Sequence, residues 1–151
     1  MRLNRSSLLL SSAAMLAFTN VSGAADLGCF AQASARYRVP EALLQAISRV
    51  ESRGNPTALH VNKNGTTDIG HMQINSAWLP TLARYGIDQS RLSDPCINTN
   101  VGAWILANNF RRIGYQWKAV GAYNAISPVK AAIYTKKIAD SLSIETKRNA
   151  N

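Results

Sequence analysis

Apolar side chains recur every three or four residues over most of the chain, and this spacing predicts a mainly α-helical protein. A first short helix is predicted over residues 26–38, because Val39 precedes Pro40 and a residue before proline is disfavoured in helical geometry. Pro40 opens a second helix, which the Gly-Asn-Pro sequence at residues 54–56 ends. The apolar stripe of this second helix consists of Leu43, Leu44, Ile47 and Val50.

Loops and further helices follow. The stretch between Pro56 and Gly70 is rich in Asn, Gly, Lys and Thr, and its Asn64-Gly65 pair is a turn signal that favours a small loop or hairpin region. A second loop is predicted around residues 93–95. The remaining helices are predicted over residues 76–85, 97–113, 117–122 and 128–142. The polar residues 143–151 are expected to form a frayed tail.

The first 25 residues have the pattern of a secretory signal peptide. Arg2 and Arg5 precede an apolar run over residues 8–18, and small residues at 22–25 provide a cleavage site. The apolar run is about a dozen residues long, shorter than the roughly 20 that cross a bilayer. We therefore expect an exported, periplasmic protein without stable membrane insertion. Its residues 26–142 are enough for one domain.

Both cysteines, Cys29 and Cys96, lie in the part that export would retain. An exported chain meets an oxidising compartment, where two thiols usually pair, so a Cys29–Cys96 disulfide is predicted. Acylation of Cys29, as in exported lipoproteins, is the alternative. The residues before it, Asp-Leu-Gly at 26–28, fit a lipoprotein signal poorly.

The charge is strongly basic, with 17 Lys and Arg against 8 Asp and Glu, a net charge of +9. Such a field attracts polyanions in general, including nucleic acid, anionic membrane and the carboxylate-bearing cell wall. The basic residues are scattered singly, apart from Arg111-Arg112 and Lys136-Lys137, and no nucleic-acid recognition motif accompanies them. We therefore expect no nucleic-acid partner.

Among the few acidic residues, Glu51 has surroundings suited to proton transfer. It falls in the last turn of an apolar helix, where the negative end of the helix dipole and desolvation both disfavour ionisation. A carboxyl group that keeps its proton near neutral pH can donate it to a leaving oxygen. Position alone would favour a solvated glutamate at a helix end over a catalytic acid.

Three short strings give Glu51 its context. They are Glu-Ser-Arg-Gly-Asn-Pro from residue 51, Gly-His-Met-Gln-Ile-Asn from residue 70 and Ala-Tyr-Asn-Ala from residue 122. In this order, after an apolar helix, they resemble the soluble lytic transglycosylase family over residues 30–142. The resemblance implies a lysozyme-like helical fold in which Glu51 is the catalytic acid/base.

The same resemblance assigns the other site residues. It implies that Met72 and Ile74 pack the cleft floor. It implies that the glycan cleft is lined or bordered by Gln73, Asn75, Tyr123 and Asn124. A tyrosine hydroxyl and an amide at the last two positions would orient the substrate's acetamido group or Glu51 itself.

Three positions keep alternatives open. Ser52 belongs either to the helix end or to the cleft, and Tyr134 either lines the cleft or packs in the core. His71 stands where the family usually has an apolar residue, so it is either a cleft contact or a tolerated surface variant, and we favour the second. No cysteine or acidic cluster accompanies it, so no metal site is expected.

Asp68 supports a rival reaction. It follows Glu51 by 17 positions, and residues 67–76 are similar to animal-type lysozymes, which carry a second carboxylate at that distance. Retaining glycosidases use such a pair, one as acid and one as nucleophile or charge stabiliser. The transglycosylase interpretation makes Asp68 a loop-ordering, substrate-contacting or charge-setting group instead.

The resemblance implies an activity and a setting. Family members cleave the MurNAc-GlcNAc β-1,4 bond of peptidoglycan, form a 1,6-anhydro-MurNAc end and use no cofactor. Small exported members resemble those attached to type III or type IV secretion, pilus or conjugation machines, and we expect a monomer. A wall-binding protein without activity is a further alternative, although it would be expected to lack the acid.

Overall fold

The computed structural model describes residues 24–125 and 127–149, so residues 1–23 of the predicted signal peptide lie outside the described part. Within these ranges the chain forms seven α-helices and one small sheet. The helices are α1 (Ala24–Tyr37), α2 (Glu41–Ser52), α3 (Leu79–Leu82), α4 (Gln89–Leu92), α5 (Pro95–Ile113), α6 (Trp117–Asn124) and α7 (Pro128–Asn149). The strands are β1 (Leu59–Val61), β2 (Thr67–Ile69) and β3 (Ile74–Asn75). The mainly α fold class is confirmed.

Helix α5 is the centre of the helical body. Helices α1 and α6 pack against it, and α7 packs on α6 and α2. The core is made of fully buried aliphatic side chains, among them Leu44, Ile47, Leu106 and Ile138. Side chains from the loop and sheet region, Ile69, Met72 and Ile74, join the same core. The sheet is thereby fixed against the helices, and a cleft remains between the two.

Local signals set the ends of the helices beside the cleft. Helix α2 begins after Pro40 and ends at Arg53, whose left-handed backbone (φ 61°) lets its N–H bond to the carbonyl of Arg49 at 2.9 Å. Helix α5 is capped by Asp94, whose carboxylate accepts from the N–H of Ile97 at 2.9 Å. Glu51 therefore lies in the last turn of α2, as the pattern predicted.

The predicted hairpin forms, and a third strand extends it. Strands β1 and β2 pair antiparallel, with Leu59 opposite Ile69, around the turn at Gly65 (φ 83°). Strand β3 adds to the other edge of β2 and places Asn75 opposite Asp68. At two residues, β3 is too short to produce an alternating pattern in the sequence.

One secondary-structure prediction was wrong, and one short helix was not predicted. Residues 76–85 form two 3-10 turns (Ser76–Trp78 and Ala83–Tyr85) around α3, because Pro80 has no N–H to continue the helical hydrogen bonds. The pattern also did not predict α4, which is capped by Asp88 and lies directly before the loop predicted around residues 93–95.

The last helix continues beyond Leu142 to Asn149, so the expectation of a frayed tail was wrong for residues 143–149. Arg49 of α2 pairs with Glu145 at 3.6 Å and donates to the hydroxyl of Ser141 at 3.3 Å. These contacts to α2 stabilise the extension, and a local pattern of polar residues cannot reveal them.

A disulfide joins Cys29 of α1 to Cys96 at the start of α5, with the two Cα atoms 5.1 Å apart. It closes a loop of 67 residues, which in the chain-entropy model contributes about 4 kcal/mol to stability. The bridge also fixes the N-terminal end of α5 against α1. No helix in the described ranges is long and apolar enough to span a bilayer.

Candidate active site

A cleft of about 880 Å³ runs between the sheet and the helical body. Six of the eight predicted acid or substrate-contact residues line it: Glu51, Asp68, Gln73, Asn75, Tyr123 and Asn124. Helix α2 supplies the first, the sheet and its loops supply the next three, and the end of α6 supplies the last two. The cleft thus joins side chains that lie far apart in the sequence.

Glu51 is half-buried, and its carboxylate oxygen Oε1 accepts a hydrogen bond from the hydroxyl of Tyr134 at 2.6 Å. Burial raises the pKa of Glu51 to about 7, and the negative charge of Asp68 adds to the rise. The hydrogen bond from Tyr134 and the positive charge of Lys137 oppose it. At neutral pH a large fraction of Glu51 is therefore protonated and able to donate its proton.

Tyr134, and not Tyr123, is the tyrosine that contacts the glutamate. It is a core residue of α7, only 5% exposed, and burial together with Glu51 raises its pKa far above the ordinary range. The phenol therefore keeps its proton and acts as a permanent hydrogen-bond donor to Glu51. The sequence left its role open between cleft and core; the side chain is buried in the core, does not line the cleft and reaches Glu51 through its hydroxyl.

Tyr123 fixes the cleft floor instead of the acid. Its hydroxyl donates to the carbonyl of Met72 at 3.0 Å, and its ring lies nearly parallel to that of Tyr134, with centroids 6.5 Å apart. A Cβ atom on Gly102 of α5 would lie 3.0 Å from this hydroxyl and 2.7 Å from the terminal methyl of Met72. Only glycine allows α5 to approach the floor this closely.

Asp68 is held by amide donors on both oxygens. Its Oδ1 accepts from Asn75 at 2.7 Å and its Oδ2 accepts from Asn62 at 3.0 Å. Both amides also donate to the hydroxyl of Thr66, at 2.9 and 3.2 Å. The carboxylate is thus part of a network that orders the hairpin, and its charge acts on Glu51 across the cleft.

Gln73 has a left-handed backbone (φ 48°), which is uncommon for a residue other than glycine. Its side-chain Nε2 donates to the carbonyls of Gly70 at 2.8 Å and Ala58 at 3.3 Å. Among the described residues its amide oxygen has no hydrogen-bond partner, so it can accept from a substrate N–H. Strained backbone of this kind is often found at functional sites.

Asn98 supports the motif loop and was missed by sequence reasoning. It is fully buried on α5, and its Oδ1 accepts from the N–H of Met72 at 2.8 Å. Its Nδ2 donates to the carbonyls of Ile69 at 2.9 Å and Leu92 at 3.0 Å. A Cβ atom on Gly70 would lie 2.4 Å from that nitrogen, so the loop can pass Asn98 only with glycine there. An amide within an apolar helix was the available signal.

Both expectations for His71 were wrong. The side chain is 3% exposed and lies outside the cleft, with Nδ1 2.8 Å from the hydroxyl of Ser48 and Nε2 3.1 Å from that of Thr99. It therefore links α2 to α5 behind the motif loop. An apolar residue at this position would leave those hydroxyls without this partner.

Ser52 belongs to the same buried side of the loop. Its hydroxyl donates to the carbonyl of His71 at 3.0 Å, and the described residues that line the cleft do not include it. Its predicted substrate contact is therefore not supported, because the hydroxyl is committed to the backbone. No group of three His, Cys, Asp or Glu side chains able to hold a metal ion occurs among the described residues.

The Glu51–Tyr134 hydrogen bond makes a testable prediction about the acid. Tyr134→Phe removes a donor that favours the charged carboxylate, so the pKa of Glu51 is expected to rise above its value of about 7. Titration of the glutamate carboxyl carbons by NMR measures this change. Tyr85→Phe is the matched control, since Tyr85 is exposed and outside the cleft. An unchanged or lowered pKa in the Tyr134 variant would contradict the assignment.

Comparison with known proteins agrees with this architecture. Residues 28–141 match the family described as the transglycosylase SLT domain. The chain is 44% identical over 115 residues to the invasion protein IagB of Salmonella typhimurium, covering 73% of this chain and 72% of that protein. It is 41% identical over 118 residues to the protein IpgF of Shigella flexneri, covering 77% of this chain and 76% of that protein. It is 44% identical over 98 residues to the X polypeptide of Escherichia coli, covering 64% of this chain and 58% of that protein. The chain therefore belongs to the transglycosylase SLT domain family.

Proposed function

We propose that this protein is a peptidoglycan lytic transglycosylase that cleaves the MurNAc-GlcNAc β-1,4 bond and leaves a 1,6-anhydro-MurNAc end. The observation that carries the proposal is Glu51, a half-buried carboxyl with a pKa of about 7 at the edge of a glycan-sized cleft. Family membership supports the same bond as the target.

In the proposed mechanism Glu51 acts first as the general acid and then as the general base. Protonated Glu51 donates its proton to the glycosidic oxygen as the C1–O bond of MurNAc breaks, and the acetamido oxygen of that sugar bonds to C1. The Glu51 carboxylate then takes the proton of the sugar's own 6-hydroxyl as the 6-oxygen bonds to C1 and displaces the acetamido oxygen. No water is consumed, and Glu51 ends protonated and ready for the next bond.

The described side chains suit these steps. Tyr134 donates to Glu51 and stabilises the carboxylate that forms after the first proton transfer. Gln73 and Asn124 line the cleft with amide groups that can hold an acetamido group. The floor below them is fixed by Tyr123 and Asn98.

In the transglycosylase proposal Asp68 is a charge-setting group and not a nucleophile. Each of its oxygens accepts a hydrogen bond from an asparagine amide, which holds the carboxylate in place. In this role it keeps the proton on Glu51. A lysozyme-type hydrolase that uses Glu51 with Asp68 is the second candidate, favoured by the presence of both carboxylates in one cleft.

Mass spectrometry of fragments released from purified peptidoglycan tests the reaction. Wild type is expected to release anhydro-muropeptides. Asp68→Asn is expected to release the same products at a rate lower by roughly tenfold, because it lowers the pKa of Glu51 without removing the acid, and one pKa unit is about a tenfold change in proton affinity. Because the charge of Asp68 raises the pKa of Glu51, the fall in activity at high pH should shift to lower pH in this variant.

Asp140→Asn is the matched control, as it removes the same charge from an exposed site on α7. Reducing-end products lost in the Asp68 variant would establish the hydrolase instead. No products from wild type at any pH would indicate the wall-binding alternative.

For the cellular role, we propose local opening of the wall during assembly of a secretion, pilus or conjugation apparatus. One relative is named for invasion, which supports such a specialised use. The proposed location is the periplasm, reached through the signal peptide at residues 1–25, and the Cys29–Cys96 disulfide suits that oxidising compartment.

A further inference from the structure

A second, smaller cavity of about 240 Å³ adjoins the cleft on the far side of Glu51. One face of α7 forms its wall, because Lys130, Ile133 and Lys137 follow one another at helical spacing. Val50 and Glu51 of α2, Asn124 at the end of α6 and Tyr134 of α7 complete the lining. Glu51, Asn124 and Lys130 also line the main cleft, so the side cavity continues the cleft past the acid.

The side cavity has a cationic and apolar character. Lys130 and Lys137 are exposed, and neither forms an ion pair within the described residues. Lys136, by contrast, points elsewhere on α7 and pairs with Asp140 at 2.7 Å. Ile133, which lies between Lys130 and Lys137 on this face, is 55% exposed. A ligand that fits this surface carries carboxylates separated by small apolar groups.

We propose that this side cavity binds the peptide stem of the MurNAc unit whose bond is cleaved, with Lys130 and Lys137 pairing with stem carboxylates. The inference rests on the proposed function. The stem is attached to MurNAc through the lactyl group at C3, so a sugar whose C1 lies at Glu51 must direct its stem close to that residue. Stem peptides combine alanine methyl groups with several carboxylates, which matches Ile133 flanked by two lysines.

The proposal makes Lys130 and Lys137 specificity-determining residues for stem-bearing glycan. General attraction of a basic protein to an anionic wall could also produce a lysine-dependent preference for stem-bearing glycan. The control variant must therefore remove the same charge from another site. Lys118 and Lys136 provide it, since both line a separate groove on α6 and α7 and neither lines the cleft or the side cavity.

The experiment compares two substrates. Uncrosslinked glycan strands with intact stems, and the same strands after an amidase has removed the stems, are digested by the purified protein, and kcat/KM is measured on each. Wild type is expected to prefer the stem-bearing strands. The Lys130→Gln/Lys137→Gln variant is expected to lose roughly three- to tenfold of that preference, as suits two exposed ion pairs, and the Lys118→Gln/Lys136→Gln control is expected to keep it.

The ratio between substrates separates stem binding from effects on the acid. Lys137 also lowers the pKa of Glu51, so its loss changes the rate on both strands, but this change cancels in the ratio. A preference that also falls as salt rises supports the ion pairs. An unchanged ratio in the Lys130/Lys137 variant, or an equal loss in the control, overturns the stem assignment. Failure of wild type to cleave either strand overturns the proposed function itself.

Discussion

Glu51→Gln is expected to lower the rate of peptidoglycan cleavage by roughly 10²–10⁴-fold, the usual contribution of a positioned general acid. The amide has nearly the shape of the carboxyl and can still accept the hydrogen bond from Tyr134. It cannot donate an acid proton to the glycosidic oxygen or take one from the 6-hydroxyl. The initial rate of soluble fragment release from purified peptidoglycan measures the effect.

Glu41→Gln is the matched control, since Glu41 lies in the first turn of the same helix and its carboxylate accepts from Gln45 outside the cleft. Its rate is expected to stay within about twofold of wild type, because surface substitutions have little effect. A Glu51 variant that keeps more than a tenth of the wild-type rate would remove this residue from the mechanism.

Stability measurements on the Glu51→Gln variant separate loss of the acid from loss of the fold. The pKa of Glu51 is raised in the folded state from its ordinary value of 4.5 to about 7, so the folded state binds the proton more tightly than the unfolded state. The free energy of unfolding of wild type therefore falls as pH rises between these two values. Glu51→Gln lacks this loss and should be more stable than wild type at pH 8 by about 1–3 kcal/mol. Urea unfolding at pH 4 and pH 8 tests the sign.

The parts of the site that the sequence predicted depend on signals between residues that are close together in the chain. Glu51 lies at the end of α2 because an apolar stripe leads into the helix-ending segment at residues 53–56. The hairpin that carries Asp68 follows from the turn at Asn64-Gly65. In each case the signal and its consequence lie within about a dozen residues, the range over which periodicity and turn chemistry act.

The contacts that tune and support the site join distant residues, and no local pattern encodes them. The hydroxyl of Tyr134 meets Glu51 across 83 positions, and Asn98 meets the N–H of Met72 across 26. Which tyrosine contacts the acid depends on how α6 and α7 pack. The motif left Tyr123 open between orienting the acetamido group and orienting Glu51, whereas the hydroxyl that bonds to Glu51 is that of Tyr134. His71 was misplaced for the same reason, because its partner Thr99 lies on another helix.

Asn98→Ala is expected to destabilise the protein by about 3–6 kcal/mol, a large part of the stability of a domain of this size. The substitution removes three hydrogen bonds to buried backbone: one from the N–H of Met72 and two to the carbonyls of Ile69 and Leu92. Each such group costs about 1–3 kcal/mol when it is neither bonded nor hydrated. Urea unfolding followed by far-UV circular dichroism measures the change.

Asn100→Ala is the matched control, because it makes the same substitution two residues along α5, where the amide donates to a single carbonyl, that of Cys96. Its cost is expected to be below about 1 kcal/mol, since water can replace that hydrogen bond at a partly exposed site. Equal costs at the two positions would show that Asn98 is an ordinary helix residue and not the support of the motif loop. A larger cost at Asn98, accompanied by loss of cleavage in protein that is still folded, would instead tie the position of Met72 and Gln73 to this one amide. In that case the precision of the active-site floor depends on α5, which carries no residue of the recognised motifs.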